Sequence, residues 1–297
     1  MRLRTVIVAR KTLPIVESFH LGGCMRLTAL ILVGVTILAG CASGTAASPS
    51  AVALPTAQPT STLWPPASPS PAAALTYVAF GDSWPYGAHC NGCRPFPVLL
   101  PAGFEALSGG QVRFLNDVTN GGTAQELAEA MQTDAKIRAD IAGADIIVIA
   151  IGGNDLGPAF DARAAGRCGG FDHLKCFRTV RDALASAYET MLDEIDALRA
   201  GRPTAVRMVT TSNEFLADPE LIELFGPDFG AAGGVGITKM NRDVQCAAAA
   251  AHNAICIDLG LALNGPDLLT PQDVNTQATM QKVADAILAA GLPELGH

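Results

Sequence analysis

Between Ala42 and Ala74 there is no charged residue at all; Ala, Ser, Thr and Pro dominate. A stretch of that composition cannot bury enough apolar surface to offset the entropy of ordering it, which excludes a folded unit there and reads as a tether. Long apolar runs are lacking too. The conspicuous one, Leu27 to Leu38, falls well short of the ~20 residues that a comfortable membrane span needs. Aromatic residues are only 5% of the chain, so core packing is the default reading for most of them. Basic residues are in the minority, with a formal net charge of -8. If residues 1–40 are removed, 15 basic residues face 27 acidic ones and the net charge is -12, which makes nucleic acid an improbable partner. Histidine is scarce as well, with five in all: His20, His89, His173, His252 and His297.

What is present begins with an export signal. Arg26 precedes the apolar run, and Leu38-Ala39-Gly40-Cys41 closes it like a lipobox, in which the cysteine is lipidated and becomes the first residue. Met25 heads a complete signal by itself, so a start at either Met1 or Met25 is open. An ordinary cleaved signal with release to the exterior is the alternative to a Cys41 lipid anchor. Either way the domain is expected outside the cytoplasm. The expected organisation is a signal region over 1–40, a tether over 41–74 and one globular domain over 75–297, a length that holds one sizeable core.

Cys24 falls in the signal region and Cys41 in the lipobox, leaving Cys90, Cys93, Cys168, Cys176, Cys246 and Cys256. An even number in an exported domain suggests disulfides, and the clustering suggests 90 with 93, 168 with 176 and 246 with 256. Redox chemistry or zinc at Cys90-Asn91-Gly92-Cys93 is the competing reading. A redox Cys-x-x-Cys belongs at a helix start, and no second ligand pair has finger spacing.

Within 75–297 two periodicities alternate. Strands are expected at 76–80, 112–118, 145–151, 205–211 and 254–259, and helices at 96–107, 123–141, 177–200, 237–251 and 276–290. Five βα units imply a three-layer α/β/α sandwich around a parallel sheet. Ligands of such sheets sit beyond the carboxyl ends of the strands, where Ser83, Gly121 and Asn154 all fall. Ser83, in a tight turn after the first strand, can be presented as a nucleophile. The Ser83 and Gly121 amides and the Asn154 side chain are three donors for the negative oxygen of a tetrahedral intermediate. A lone Gly-Asp-Ser is common in turns; order and strand-end placement give it weight.

Gly81-Asp82-Ser83-Trp84-Pro85-Tyr86-Gly87, the segment from Asn116 through Gly121-Gly122-Thr123, and Ile151-Gly152-Gly153-Asn154-Asp155 together resemble the SGNH (GDSL-type) hydrolase superfamily over roughly residues 76–288. The resemblance implies a flavodoxin-like five-stranded sandwich that cleaves esters of lipids, short acyl groups or acetylated sugars. Ser83 would be the nucleophile, Gly121 the oxyanion glycine, with Gly122 as its register neighbour, and Asn154 the oxyanion amide. No metal or organic cofactor is implied, and a monomer acting on a small ester or acylated glycan is expected.

The fourth block of the pattern departs from the family. There an Asp-x-x-His precedes the last helix, with a glycine five residues beyond the histidine. Here counting back from the helix puts the histidine position on Val274, with Pro271 for the aspartate and Thr279 for the glycine; a one-residue shift makes it Asn275. Neither residue can accept the serine proton. His173, in the loop between Cys168 and Cys176, is the best substitute base, with a solvated loop histidine as the plainer reading of it. His89 would have to fold back over the site, and His252 falls at the amino end of the last strand. Asp273 and Asp267 are the nearest carboxylates. Asp82 is read as holding its turn and Asp155 as anchoring its loop. Trp84, Tyr86, Phe96, Phe160 and Phe171 border the expected crevice. Three function classes stand open: an ester hydrolase that is impaired or uses a displaced base, a silent descendant that binds an ester or glycan, and a purely structural lipoprotein.

Overall fold

The computed structural model describes residues 74–88, 90–212, 237, 240–264 and 273–297. The signal region, the tether, His89 and Asp267 lie outside them. The strands are β1 (Leu75–Gly81), β2 (Val112–Val118), β3 (Ile146–Ala150), β4 (Ala205–Val209) and β5 (Ile255–Ile257), joined in a wholly parallel sheet of order β2-β1-β3-β4-β5. This is the expected five-stranded α/β/α sandwich of flavodoxin-like order. The order reverses direction at β1, so a crevice opens beyond the carboxyl ends of β1 and its neighbours.

Two cores explain why β1 and β3 read as continuous apolar runs. Successive residues of a strand point to opposite faces. Val78, Phe80, Ile147 and Ile149 pack on one side against α3 (Ala124–Thr133) and α6 (Lys175–Arg199). Tyr77, Ala79, Ile146 and Val148 pack on the other against α2 (Phe96–Ser108) and the last helix, α9 (Gln277–Ala289). Every residue of β3 is buried, as a central parallel strand covered on both faces requires.

Several helices depart from the sequence expectation. The single helix expected over 123–141 is two, α3 and α4 (Ala135–Gly143), broken at Asp134, which closes the first and caps the second through its carboxylate. Thr123 and Glu126 form a capping box at the start of α3. Before β5, Asn241–Cys246 is π-helical and passes into α7 (Ala247–Ala251). Short helices α1 (Ser83–Tyr86), α5 (Gly157–Ala164) and α8 (Leu259–Asn264) occupy stretches where no helix is expected from the sequence. No described helix is long and apolar enough to cross a membrane.

Cys90 is bonded to Cys93, Cys168 to Cys176 and Cys246 to Cys256, with Cα separations of 5.5, 4.8 and 5.0 Å. At the amino end of β5, His252 takes Asp196 at 2.8 Å on Nδ1 and Glu189 at 3.1 Å on Nε2, both from α6. Burial pulls its pKa down, but these two carboxylates outweigh burial and hold it above the ordinary value. A raised folded pKa means that the stabilisation is complete below the unfolded value of about 6.5 and is lost as pH rises through the folded one. Because both carboxylates are solvated, the contribution is that of a surface pair, under about 1 kcal/mol. His252→Gln should therefore lower the urea midpoint more at pH 5.5 than at pH 9; equal shifts at the two pH values would refute the pairing.

Candidate active site

Asp82 directly follows β1 and caps α1. Its two carboxylate oxygens accept the Trp84 amide at 3.1 Å and the Gly153 amide at 3.3 Å, tying the serine turn to the turn after β3. Burial raises the Asp82 pKa to about 6 against the lowering effect of those amides. It holds the turn, as its place in the motif suggests. Ser83 is thereby set at the first position of α1, partly exposed.

The turn after β3 is built to match. Gly152 has φ +124°, and a Cβ there would lie 2.2 Å from the Tyr188 hydroxyl, so only glycine fits. That hydroxyl donates to the Ile151 carbonyl at 2.9 Å. Gln245, on the π-helical stretch, donates to the same carbonyl at 3.2 Å and accepts the Thr211 amide at 3.0 Å. Asn241, four positions earlier, donates to the Thr211 carbonyl at 2.7 Å. Tyr188, Asn241 and Gln245 thus satisfy the backbone groups left bare where β3 and β4 end. None of the three stands out in the sequence, because nothing local to a helix shows which strand end its side chains will meet.

These strand ends enclose a cavity of about 280 Å³. Asp82, Ser83, Asn154 and Thr210 to Ser212 supply its polar lining, and Trp84, Ile151, Leu156, Phe160 and Ile237 its apolar wall. Of Ser83, Gly121 and Asn154, all assigned to one crevice from sequence, Ser83 and Asn154 line this cavity and Gly121 does not. The Asn154 amide donates to the Gly122 carbonyl at 2.9 Å; an amide carries two hydrogens, so the other is left for a ligand. Gly121, with φ +83°, lines an adjoining hollow with Gly122 and Thr123. Asp155 accepts the Ala124 amide at 2.9 Å and so fixes the start of α3, the anchoring role read for it.

Imidazole does not reach this cavity from any described residue. His173 is exposed, has φ 55°, and is absent from the cavity wall; its carbonyl accepts Arg163 at 3.1 Å. His252 belongs to the ion cluster at the other end of the sheet. Asp273 is exposed and caps its own turn by accepting the Asn275 amide at 2.8 Å. Of the two candidates for the histidine position, Val274 is a core residue, 4% exposed, whose carbonyl accepts the Trp84 indole at 2.9 Å. Asn275 follows it, immediately before Thr276, the N-cap of α9. Of the five aromatic residues expected at the crevice, Trp84 and Phe160 line it, Phe96 is in the core, and Tyr86 and Phe171 are exposed. No group of three or more His, Cys, Asp or Glu among the described residues is placed to hold a metal ion.

A sequence model of the GDSL-like lipase/acylhydrolase family matches residues 79–279. Among solved structures, a lipase from a goat rumen metagenome superposes with a TM-score of 0.56 at 20% identity, covering 73% of this chain and 98% of the other. An extracellular lipase from Streptomyces rimosus superposes with a TM-score of 0.51 at 18% identity, covering 73% and 99%. At such identities the likeness is one of fold. No curated protein matches by sequence.

Proposed function

Because this chain belongs to the GDSL-like lipase/acylhydrolase family, we propose that it is a serine ester hydrolase acting on small carboxylic esters or acylated glycans. The observation that carries this reading is the meeting of Ser83 and Asn154 in one cavity with an apolar wall. Ser83 Oγ attacks the ester carbonyl, and the Ser83 and Gly121 amides with the Asn154 side chain receive the developing oxyanion. The alcohol leaves, and water then releases the acid from the serine. The serine proton goes to solvent, since no described histidine lines the cavity, and turnover is correspondingly slow. A cavity of about 280 Å³ suits a short acyl group better than a long chain. The signal region supports a place outside the cytoplasm, held by lipid at Cys41 or released.

A second reading, a silent fold that binds an ester or glycan, is favoured by Val274 and Asn275 standing where the pattern has histidine. Hydrolysis of p-nitrophenyl acetate and butyrate by wild type, Ser83→Ala and His173→Ala separates the two. Because Ser83 supplies the attacking oxygen, Ser83→Ala should lower the rate below that of wild type. His173→Ala should change nothing. Equal rates for wild type and Ser83→Ala would leave the silent reading.

A further inference from the structure

The loop Cys168-Gly-Gly-Phe-Asp-His-Leu-Lys-Cys176 carries at its tip the most exposed large apolar side chain among the described residues, Phe171, at 97%. The loop is a fixed frame. Below the disulfide, the Cys176 amide donates to the Cys168 carbonyl at 3.1 Å and the Lys175 amide to that of Gly169 at 3.2 Å; the His173 amide donates to the Gly170 carbonyl at 3.2 Å. Arg178 grips both oxygens of Asp172, at 2.6 and 3.2 Å. Gly170 has φ +80°, and a Cβ there would come 2.9 Å from Arg178 Nη2, so glycine is what lets that grip close beneath the tip. A disulfide, an ion pair and a glycine therefore combine to hold one phenyl ring in water.

The charge around the ring is opposite to that of the chain. Residues 161–178 contain Arg163, Arg167, Lys175 and Arg178 against Asp161 and Asp172, a local +2 in a chain of net -8. Arg167 and Lys175, adjacent in sequence to the two bridged cysteines at the foot of the loop, are exposed. The loop joins α5 to α6 next to the Phe160–Phe177 pair, 5.1 Å between ring centroids, and Phe160 lines the Ser83 cavity. It therefore stands at the same end of the sheet as the cavity mouth.

We propose that this loop is a docking finger for an anionic lipid surface: Phe171 enters the boundary of the acyl chains while Arg167 and Lys175 meet headgroup phosphates. A ring fixed in water gains its full transfer free energy on entering the bilayer, with little loss of conformational freedom. Cations flanking it add a several-fold preference each for an anionic surface. A single protruding ring is too small for a stable protein interface, which needs roughly 800 Å² per partner. The inference does not depend on whether Ser83 turns over.

The full chain with Phe171→Trp tests it, the emission of native Trp64 and Trp84 being subtracted with wild type. With vesicles of phosphatidylcholine and phosphatidylglycerol, the emission of the introduced indole should move to shorter wavelength and be quenched by brominated acyl chains. With phosphatidylcholine alone the change should be several-fold weaker. Arg167→Glu with Lys175→Glu in the same background should abolish the response to the anionic vesicles. An unchanged urea midpoint shows that the variants remain folded, as the exposure of all three side chains leads one to expect. Unaltered emission with both vesicle types overturns the proposal, as does a response to soluble dextran sulfate that vesicles do not produce. An equal response to both vesicle types overturns the headgroup assignment.

Discussion

Glu294→Ala is expected to lower the melting temperature by roughly 6–20 °C. Arg207 lies in the middle of β4 with a fully buried side chain, an unusual occupant for a strand covered on both faces. Its guanidinium is met at the C-terminus of the chain: Nη1 and Nη2 reach the two Glu294 oxygens at 2.7 and 2.9 Å, and Nη2 also donates to the Gly291 carbonyl at 2.7 Å. Removing the carboxylate leaves a buried cation without its counter-ion, a change that costs about 3–5 kcal/mol, whereas replacing a buried pair by apolar residues of similar volume is often neutral. The double variant Arg207→Leu with Glu294→Leu should therefore recover most of the loss. Thermal unfolding followed by circular dichroism checks both. A shift of less than about 2 °C for Glu294→Ala would show that the pair is solvated enough to be dispensable.

That pair also shows where the sequence falls silent. An arginine in Ala205-Val-Arg-Met-Val209 does not announce a partner 87 positions later, because the pairing exists only once the chain end has crossed to the sheet. The strands themselves are legible, since burial on both faces forces the continuous apolar runs seen at 76–80 and 145–151. The break at Asp134 is not: apolar periodicity runs on across it, and only backbone geometry makes one aspartate end a helix and start another. Helices α1 and α5 escape a reading by periodicity because each lies in a site loop, contains a proline and is too short to show a period. Ser83 and Asn154 can be read because both follow strand ends in a known order. The groups that shape their cavity, Tyr188, Asn241 and Gln245, act across the fold on bare strand-end backbone and carry no local signal.

Asn275→His is expected to raise p-nitrophenyl acetate turnover roughly a hundredfold. The choice of position rests on the anchoring of the segment beside the serine turn. Trp84, next to Ser83, holds the Val274 carbonyl through its indole at 2.9 Å, while the Val274 side chain is sunk in the core with Leu263 and Met280. A histidine at 274 would have to displace that packing, so Val274→His should lower stability by about 2 kcal/mol or more without raising the rate. At 275 the backbone is fixed by Asp273 on one side and by the Thr276 cap of α9 on the other, and the substitution removes a buried amide oxygen that has no hydrogen-bond partner among the described residues. The magnitude comes from triads in which serine, base and carboxylate act as a unit: losing the base costs about 2 × 10⁶ in kcat, and losing the carboxylate alone about 3 × 10⁴. A histidine without its carboxylate should thus recover the ratio, roughly a hundredfold. The pattern places that carboxylate three residues earlier, where this chain has Gln272, so Gln272→Asp added to Asn275→His should raise turnover further. Ser83→Ala in either background must abolish the gain. A rate that stays flat in Asn275→His, or one that rises equally with Ser83 removed, would mean that residue 275 does not address Ser83 and that the proton acceptor must be sought elsewhere on the chain.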